Sequence, residues 1–249
     1  MKSGTLPVMH GRLLLLQVRT PGDPMAPQEQ GCIERRIGTR TVQMTTRNVI
    51  GESAHPDWLD GHDAIVIGGS GAFSVHDPRS VAWVEPLRGL LDAALKRQIP
   101  GFGVCFGHQL LGLHLGSRVE TVPAHAEVGT QSFTLTEAGK ADAVFGQLPE
   151  TFRGQTGHSD AVMSIPSGVE LLATSPVLET QVFKVRGTHF YSAQFHPDLT
   201  GQEARGRWIA YHRALEAVGA APPATNPDVF HADQDDASRL LGMWLDVLP

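Results

Sequence analysis

The sequence predicts an α/β fold, in which one domain has a mainly parallel central sheet flanked by helices and a small antiparallel extension. Three observations support this prediction. Strand-like and helix-like segments alternate through the first half, as they do where helices connect parallel strands. Residues 12–18 (RLLLLQV) are almost continuously apolar, which is typical of a strand buried on both faces. Between 117 and 195, short strand-like segments follow one another between turn residues, which favours antiparallel pairing.

The first half is expected to contain four strands and two helices before Cys105. The predicted strands are 12–18, 39–46, the apolar start of 62–75, and 101–105. The predicted helices are 28–37 and 79–98. Pro86 lies within the second helical segment, where it is expected to bend the helix or to mark its true start, because proline lacks the backbone donor.

The second half is expected to be rich in strands and to end in two helices. The predicted strands are 117–122, 130–136, 150–156, 168–175, 180–186 and 188–195. Thr200 and Glu203 have the spacing of a capping box, which predicts a helix over 200–218. A last amphipathic helix is predicted over 232–248.

The last helix carries an apolar stripe, and two roles for the stripe are open. We expect it to pack on its own domain, and the alternative is a contact with a partner or a second copy. We find no internal repeat, so one domain over 1–249 is expected, with a helical tail from about 217. The stripe consists of Leu240, Leu241, Trp244, Leu245 and Leu248.

Composition argues against several classes of protein. The net charge is −6 and no run of Lys or Arg occurs, which disfavours nucleic acid as a partner. The two cysteines, Cys32 and Cys105, are too few for a disulfide framework and fit a reducing compartment. The apolar run at 13–16 is too short to cross a membrane, so we expect a cytoplasmic protein. The histidines form no metal-binding motif, and we expect neither a metal nor another cofactor.

Cys105 lies where a predicted strand ends and a predicted helix begins, in Gly103-Val104-Cys105-Phe106-Gly107. Flanking glycines permit a tight turn and a close approach of backbones. The N-terminus of the following helix favours thiolate over thiol. This is the pattern of a nucleophile elbow, with cysteine in place of serine. The simpler alternative is that Cys105 is a small buried core residue.

A nucleophilic thiol needs a base, for which His196 is the candidate. It follows a predicted strand and precedes Pro197, which holds the chain extended. Asp198 can accept a hydrogen bond from the imidazole and fix its tautomer. The simpler alternative is a surface histidine at a strand end.

The glycine loop in residues 65–73 (IVIGGSGAF) is the third motif. Such a loop can direct backbone N–H groups at a developing negative charge, or it can bind a phosphate. It matches neither the dinucleotide-binding fingerprint nor the P-loop. A plain turn is the simpler alternative.

Together these motifs resemble the class I (triad) glutamine amidotransferases, and in particular stand-alone members related to the amidotransferase domain of GMP synthetase. That family has a Gly-Gly-Pro-Gly-like loop, a Gly-x-Cys-x-Gly-x-Gln elbow and a His-Pro-Glu segment, in this order. The resemblance spans about residues 10–215, includes the segment 157–162 (GHSDAV), and implies a flavodoxin-like fold. The matching residues here are Gly68-Gly69-Ser70-Gly71, the elbow from Gly103 to Gln109, and His196-Pro197-Asp198.

The resemblance implies hydrolysis of the glutamine side-chain amide by a catalytic triad. Cys105 would attack the amide and form a thioester, which water would then cleave. His196 would take the thiol proton and give it to the leaving ammonia. Asp198 would orient His196.

The resemblance also implies roles in stabilising the oxyanion and in holding the substrate. Gly69 and Phe106 would offer backbone N–H groups to the oxyanion. Gly71, Gln109 and Ser159 lie where family members hold the glutamine.

Two departures from the family pattern affect these expectations. The triad acid is Asp198 where the family has Glu, so either the backbone lies closer to the base or Glu203 or Asp160 helps. Ser70 replaces the loop proline, which is expected to loosen the loop while leaving its backbone donors available.

Two other functions fit the same motifs. The triad could hydrolyse γ-glutamyl peptides, with no delivery of ammonia. The chain could also be a non-enzymatic binding module, although the presence of all three triad residues weighs against this interpretation. We find no synthetase-type loop in the sequence, so delivery of ammonia would require a synthetase partner on another chain.

Overall fold

The computed structural model describes residues 11–217, 226–232 and 234–249. Residues 1–10 of the predicted domain, residues 218–225 at the start of the predicted tail, and residue 233 lie outside the described residues. The strands β1–β11 are Gly11–Val18, Val42–Asn48, Ala64–Ser70, Gly101–Val104, Val119–Thr121, Glu127–Leu135, Thr151–His158, Asp160–Val162, Val169–Thr174, Val182–Val185 and Phe190–Ala193. The helices α1–α6 are Met25–Ile37, Val81–Lys96, Phe106–His114, Glu137–Ala141, Gly201–Ala217 and Leu240–Asp246.

Nine of the described strands form one sheet in the order β2-β1-β3-β4-β11-β10-β9-β6-β7. The strands from β2 to β11 in this order pair in parallel, and the remaining four continue the sheet with antiparallel pairs. This arrangement confirms the predicted α/β fold, and its antiparallel extension is larger than expected. Strands β5 and β8 form a separate antiparallel pair, and β8 was not predicted.

The central strands are apolar because both faces of the sheet are covered. Along β1, Leu13 and Leu15 point into one core, which also contains residues of α1 and α6. Leu14 and Leu16 point into a second core with residues of α2 and α3. Alternate residues of a strand face opposite sides, so a strand between two helical layers needs apolar residues throughout.

Pro86 lies inside α2 and does not mark its start. The helix begins at Val81, directly after a 3₁₀ turn that Asp77 caps by accepting from the backbone N–H of Arg79. The alternative in which Pro86 begins the helix is therefore wrong.

The last predicted helix is shorter than 232–248. A 3₁₀ turn precedes α6, and the carboxylates before it bond to other backbone groups, with Asp236 accepting from the N–H of Arg153 at 2.9 Å. The predicted apolar stripe packs into the core of its own domain. In that core Trp244 donates from Nε1 to the carbonyl of His189 at 3.1 Å and contacts Phe102 of β4, edge to face.

Among the described residues, no helix is both long enough and apolar enough to cross a lipid bilayer.

Candidate active site

Cys105 is the single residue between β4 and α3. Its φ is 50° and its ψ is −93°, which is a conformation that residues with side chains rarely adopt. Its N–H donates to the carbonyl of Ala193 on β11, and its carbonyl accepts the first helical bond of α3 from Gln109. Such a strained backbone conformation persists only where the surrounding structure maintains it. The predicted elbow is therefore present.

The glycines beside Cys105 are required by close contacts and not by their own φ. A Cβ on Gly103 would lie 2.7 Å from the carbonyl carbon of Gly107. A Cβ on Gly107 would lie 2.5 Å from the carbonyl oxygen of Ile67 on β3. Both contacts involve backbone atoms, which cannot turn away as a flexible side chain can. The elbow therefore packs directly on β4 and β3.

His196 and Asp198 lie together beside Cys105. The Nδ1 atom of His196 is 3.0 Å from Oδ1 of Asp198. The opposite edge of the ring faces the glycine loop and Cys105, since a Cβ on Gly69 would lie 2.9 Å from Cε1 of His196 and 3.7 Å from Cβ of Cys105. Burial lowers the pKa of His196, but the charge of Asp198 and hydrogen bonds to Asp198 and Cys105 raise it to about 9.

Arg207 on α5 holds the second oxygen of Asp198, a contact that the sequence analysis missed. Its Nη2 atom donates to Oδ2 of Asp198 at 3.0 Å, and its Nε atom donates to Gln28 at 2.8 Å. Burial raises the pKa of Asp198, but Arg207 and His196 together bring it well below its ordinary value. Asp198 is therefore held as a carboxylate beside the imidazole.

The two other acids proposed to help the base have different partners. Glu203 pairs with Arg35 and Arg36 and closes the predicted capping box with Thr200 at the start of α5. Asp160 accepts from Thr121 at 2.5 Å. Asp198 reaches His196 directly, although it is one methylene shorter than Glu.

The glycine loop lies next to Cys105 and His196, and Gly69 is close to both of them. The N–H of Gly69 donates to Oε1 of Glu29 at 3.2 Å. Glu29 is buried and pairs with Arg19 at 2.8 Å. The oxyanion role of Gly69 stays a prediction, and it requires this N–H to leave Glu29. Phe106 begins α3, so its N–H is among those at the helix start that lack a helical acceptor.

Ser70 tightens the loop where the family pattern has proline. Its Oγ atom accepts from the backbone N–H of Phe73 at 2.9 Å. The expected loosening of the loop is thus opposed by this hydrogen bond.

A cavity of about 340 Å³ opens beside Cys105, and we call it the first cavity. Cys105, Phe106 and the three residues predicted to hold the substrate line it together, namely Gly71, Gln109 and Ser159. The amide nitrogen of Gln109 donates to the carbonyl of Asp160 at 3.0 Å, which connects α3 to β8. The binding roles of these three residues stay predictions.

Gln194 is a second site residue that the sequence analysis missed. It is buried, and its Nε2 atom lies 3.7 Å from Sγ of Cys105 in hydrogen-bonding geometry. It also accepts from Gln109 at 3.3 Å. A polar residue directly after a buried strand and two before the candidate base is a signal that could have identified it.

The histidine next to the elbow is structural. His108 is buried, and its ring nitrogens lie 2.9 Å from Ser192 Oγ and 2.9 Å from the carbonyl of Thr180. Burial lowers its pKa to about 3, so it is neutral. Within 11–217, 226–232 and 234–249 no group of three or more His, Cys, Asp or Glu is arranged to hold a metal ion.

The fold and the site together define a class of α/β protein that carries a cysteine on a nucleophile elbow beside a buried His–Asp pair. Residues 29–212 match the family model for glutamine amidotransferase class-I, and the chain belongs to this family.

Two curated relatives bear on the function. One is a subunit of the glutamine-hydrolyzing GMP synthase of Methanocaldococcus jannaschii, which is 31% identical over 120 residues, 48% of this chain and 62% of that protein. The other is gamma-glutamyl peptidase 3 of Arabidopsis thaliana, which is 28% identical over 155 residues, 61% of each chain. The chain thus matches less than two thirds of the length of either relative.

The fold is shared with a solved structure over nearly the whole chain. A glutamine amidotransferase from Thermotoga maritima superposes with a TM-score of 0.72, covering 96% of this chain and 97% of that one at 22% identity. At this identity the likeness concerns the fold alone.

Proposed function

We propose that this chain hydrolyses the side-chain amide of glutamine through a cysteinyl thioester, releasing glutamate and ammonia. The observation that carries the proposal is the position of Cys105, on a strained elbow beside a His196 ring whose far nitrogen is held by Asp198. Family membership and the similarity to a glutamine-hydrolyzing relative support the choice of glutamine.

The residues divide the reaction between them. With its Nδ1 atom on Asp198, His196 presents Nε2 toward Cys105 and takes the thiol proton. Sγ of Cys105 then bonds to the amide carbon, and the carbon–nitrogen bond breaks as His196 returns the proton to the leaving ammonia. Water replaces the sulfur, which gives glutamate and restores the thiol.

The oxyanion of each tetrahedral intermediate needs donors near Cys105. We propose the N–H of Phe106 as one donor and the N–H of Gly69 as the other. Gly71, Gln109 and Ser159 would hold the glutamine in the first cavity. We further propose that the ammonia is delivered to a synthetase partner, as the similarity to one subunit of a GMP synthase suggests.

Release of ammonia and glutamate from L-glutamine by the purified chain tests the proposal. We expect release from the wild type and its loss in Cys105→Ser. The matched control is Cys32→Ser, which removes a buried thiol of α1 outside the triad and should keep the activity. Release at the wild-type rate by Cys105→Ser would contradict the proposal. So would a wild-type protein that releases glutamate neither from glutamine nor from γ-glutamyl amides.

A further inference from the structure

A second cavity, of about 190 Å³, lies beside the catalytic base. His196 lines this second cavity, whereas Cys105 lines the first. The two cavities meet at Ser70, Gly71 and Gly157, which line both. Cys105 and His196 therefore border two adjacent cavities, one residue on each.

Three aromatic side chains contribute to the walls of the second cavity. Trp208 and Tyr211 of α5 and Phe230 line it, and the ring of Trp208 stacks on His212 with centroids 4.6 Å apart. Tyr211 also packs against the glycine loop, because a Cβ on Gly71 would lie 2.3 Å from its hydroxyl oxygen. These side chains offer flat apolar surfaces to a ligand.

The cations that line the second cavity already have partners. Arg19 pairs with buried Glu29 at 2.8 Å and donates to the hydroxyl of Tyr211. Arg207 pairs with Asp198 at 3.0 Å. A ligand of the second cavity therefore meets aromatic faces and guanidinium groups whose charge is compensated. This favours an uncharged apolar group over an anion.

The chemistry of the triad decides which half of a substrate enters each cavity. The carbonyl carbon must reach Sγ of Cys105, so the glutamyl half occupies the first cavity. The leaving nitrogen must receive its proton from His196, so whatever this nitrogen carries extends into the second cavity. Ammonia has no substituent on its nitrogen, so its release does not require a cavity with aromatic side chains beside His196.

We propose that the second cavity binds the amine half of γ-glutamyl amides in which the amine bears an apolar or aromatic group. The inference rests on the proposed thioester chemistry and names a substrate class for it. Sγ of Cys105 bonds to the γ-carbonyl carbon as the carbon–nitrogen bond breaks. The nitrogen leaves as a free amine with the proton from His196, and water then releases glutamate and restores the thiol.

The test compares two amides that differ only beyond the leaving nitrogen, L-γ-glutamyl-ethylamide and L-γ-glutamyl-2-phenylethylamide. We expect the wild type to prefer the phenylethylamide by about tenfold in kcat/KM, because the ring enters an apolar site. In Trp208→Ala this preference should fall toward one. Ile209→Ala truncates the next residue of α5, which lines neither cavity, and should keep the preference.

Two results would overturn the inference while leaving the proposed function in place. They are Cys105-dependent hydrolysis with no preference for the phenylethylamide, and a preference that Trp208→Ala does not change. If no amide, glutamine included, is cleaved in a Cys105-dependent manner, the proposed function itself fails.

Calorimetric binding of the two amides to Cys105→Ala then tests the second cavity alone. Tighter binding of the phenylethylamide that is lost on adding Trp208→Ala supports the cavity as its site. Equal binding of the two amides overturns the inference.

Discussion

Arg207 donates from Nη2 to Oδ2 of Asp198 at 3.0 Å, and both side chains are buried. The other oxygen of the same carboxylate lies 3.0 Å from Nδ1 of His196. Asp198 is therefore held at both oxygens, with a permanent cation on one side and the imidazole of His196 on the other. In this arrangement the guanidinium of Arg207 fixes the carboxylate of Asp198, which is one methylene shorter than Glu, next to His196.

Replacing Arg207 by Gln should weaken both the fold and the contact between Asp198 and His196. Breaking a buried ion pair costs about 3 kcal/mol of unfolding free energy. Without the cation, the pKa of Asp198 rises, so the acidic limb of the kcat–pH profile should move to higher pH. Urea unfolding and the profile measure the two effects. Arg205→Gln is the control, since Arg205 pairs at the surface with Asp228. An unchanged acidic limb in Arg207→Gln would contradict the positioning role.

Asp198→Asn should lower kcat by roughly a hundredfold or more, because the amide no longer stabilises the imidazolium or fixes its tautomer. Cys105 should still react with iodoacetamide in this variant, which separates loss of the base from loss of the fold. Glu203→Gln serves as the comparison, and it should keep kcat because Glu203 bonds to Arg35 and Arg36. A wild-type kcat in Asp198→Asn would remove Asp198 from the triad.

Iodoacetamide should label one cysteine of the native protein and two after unfolding. Cys32 has no exposed surface, and burial together with nearby carboxylates raises its pKa to about 11. Cys105 borders the first cavity and is the expected site. Mass spectrometry of the labelled protein counts and locates the adducts. Native Cys105→Ser should remain unlabelled, and an adduct on its Cys32 would show that the core around α1 opens.

The protonated His196 should stabilise the fold below neutral pH. Its pKa is about 9 in the folded state and 6.5 without the fold, so its contribution is complete below pH 6.5 and is lost as the pH rises to about 9. The difference in unfolding free energy between the wild type and His196→Gln should therefore shrink over this range. His189→Gln removes an exposed imidazole as a control. A difference that stays constant from pH 6 to 9 would exclude the linkage.

Gly107→Ala should disrupt the elbow, since its Cβ would lie 2.5 Å from the carbonyl oxygen of Ile67. We expect a large loss of unfolding free energy and of activity, measured by thermal unfolding and by glutamate release. The matched change Gly89→Ala on α2 has open space around its Cβ and should stabilise the protein by up to about 1 kcal/mol. Equal stability of Gly107→Ala and Gly89→Ala in thermal unfolding would contradict this prediction.

The features that the sequence predicted well are local in the chain. The elbow around Cys105 and the pair of His196 and Asp198 each lie within a few residues, so their geometry depends on one turn. Arg207 and Glu29 could not be predicted in this way. Arg207 reaches Asp198 only because α5 docks beside the loop after β11, and Glu29 reaches Gly69 only because α1 packs under the glycine loop.

The difference between local and long-range interactions also explains where the predicted helices and strands differ from the structure. The last helix was predicted too long at its start, where Asp236 exchanges hydrogen bonds with the backbone of Arg153 through its own N–H and its carboxylate. The antiparallel extension was predicted too small because β6 and β7 join the main sheet through the pairing of β6 with β9, two strands that are not consecutive in the chain. Such a pairing leaves little trace in the sequence of either strand.

The packing of Trp244 on Phe102 has a consequence for biosynthesis. Phe102 belongs to β4, the strand directly before Cys105, and Trp244 covers it on the core side. A polypeptide leaves the ribosome N-terminus first, so β4 emerges long before the segment that covers it. In the nascent chain, the part of the core around Phe102 therefore stays open to solvent until residues 240–248 have been synthesised and have left the exit tunnel.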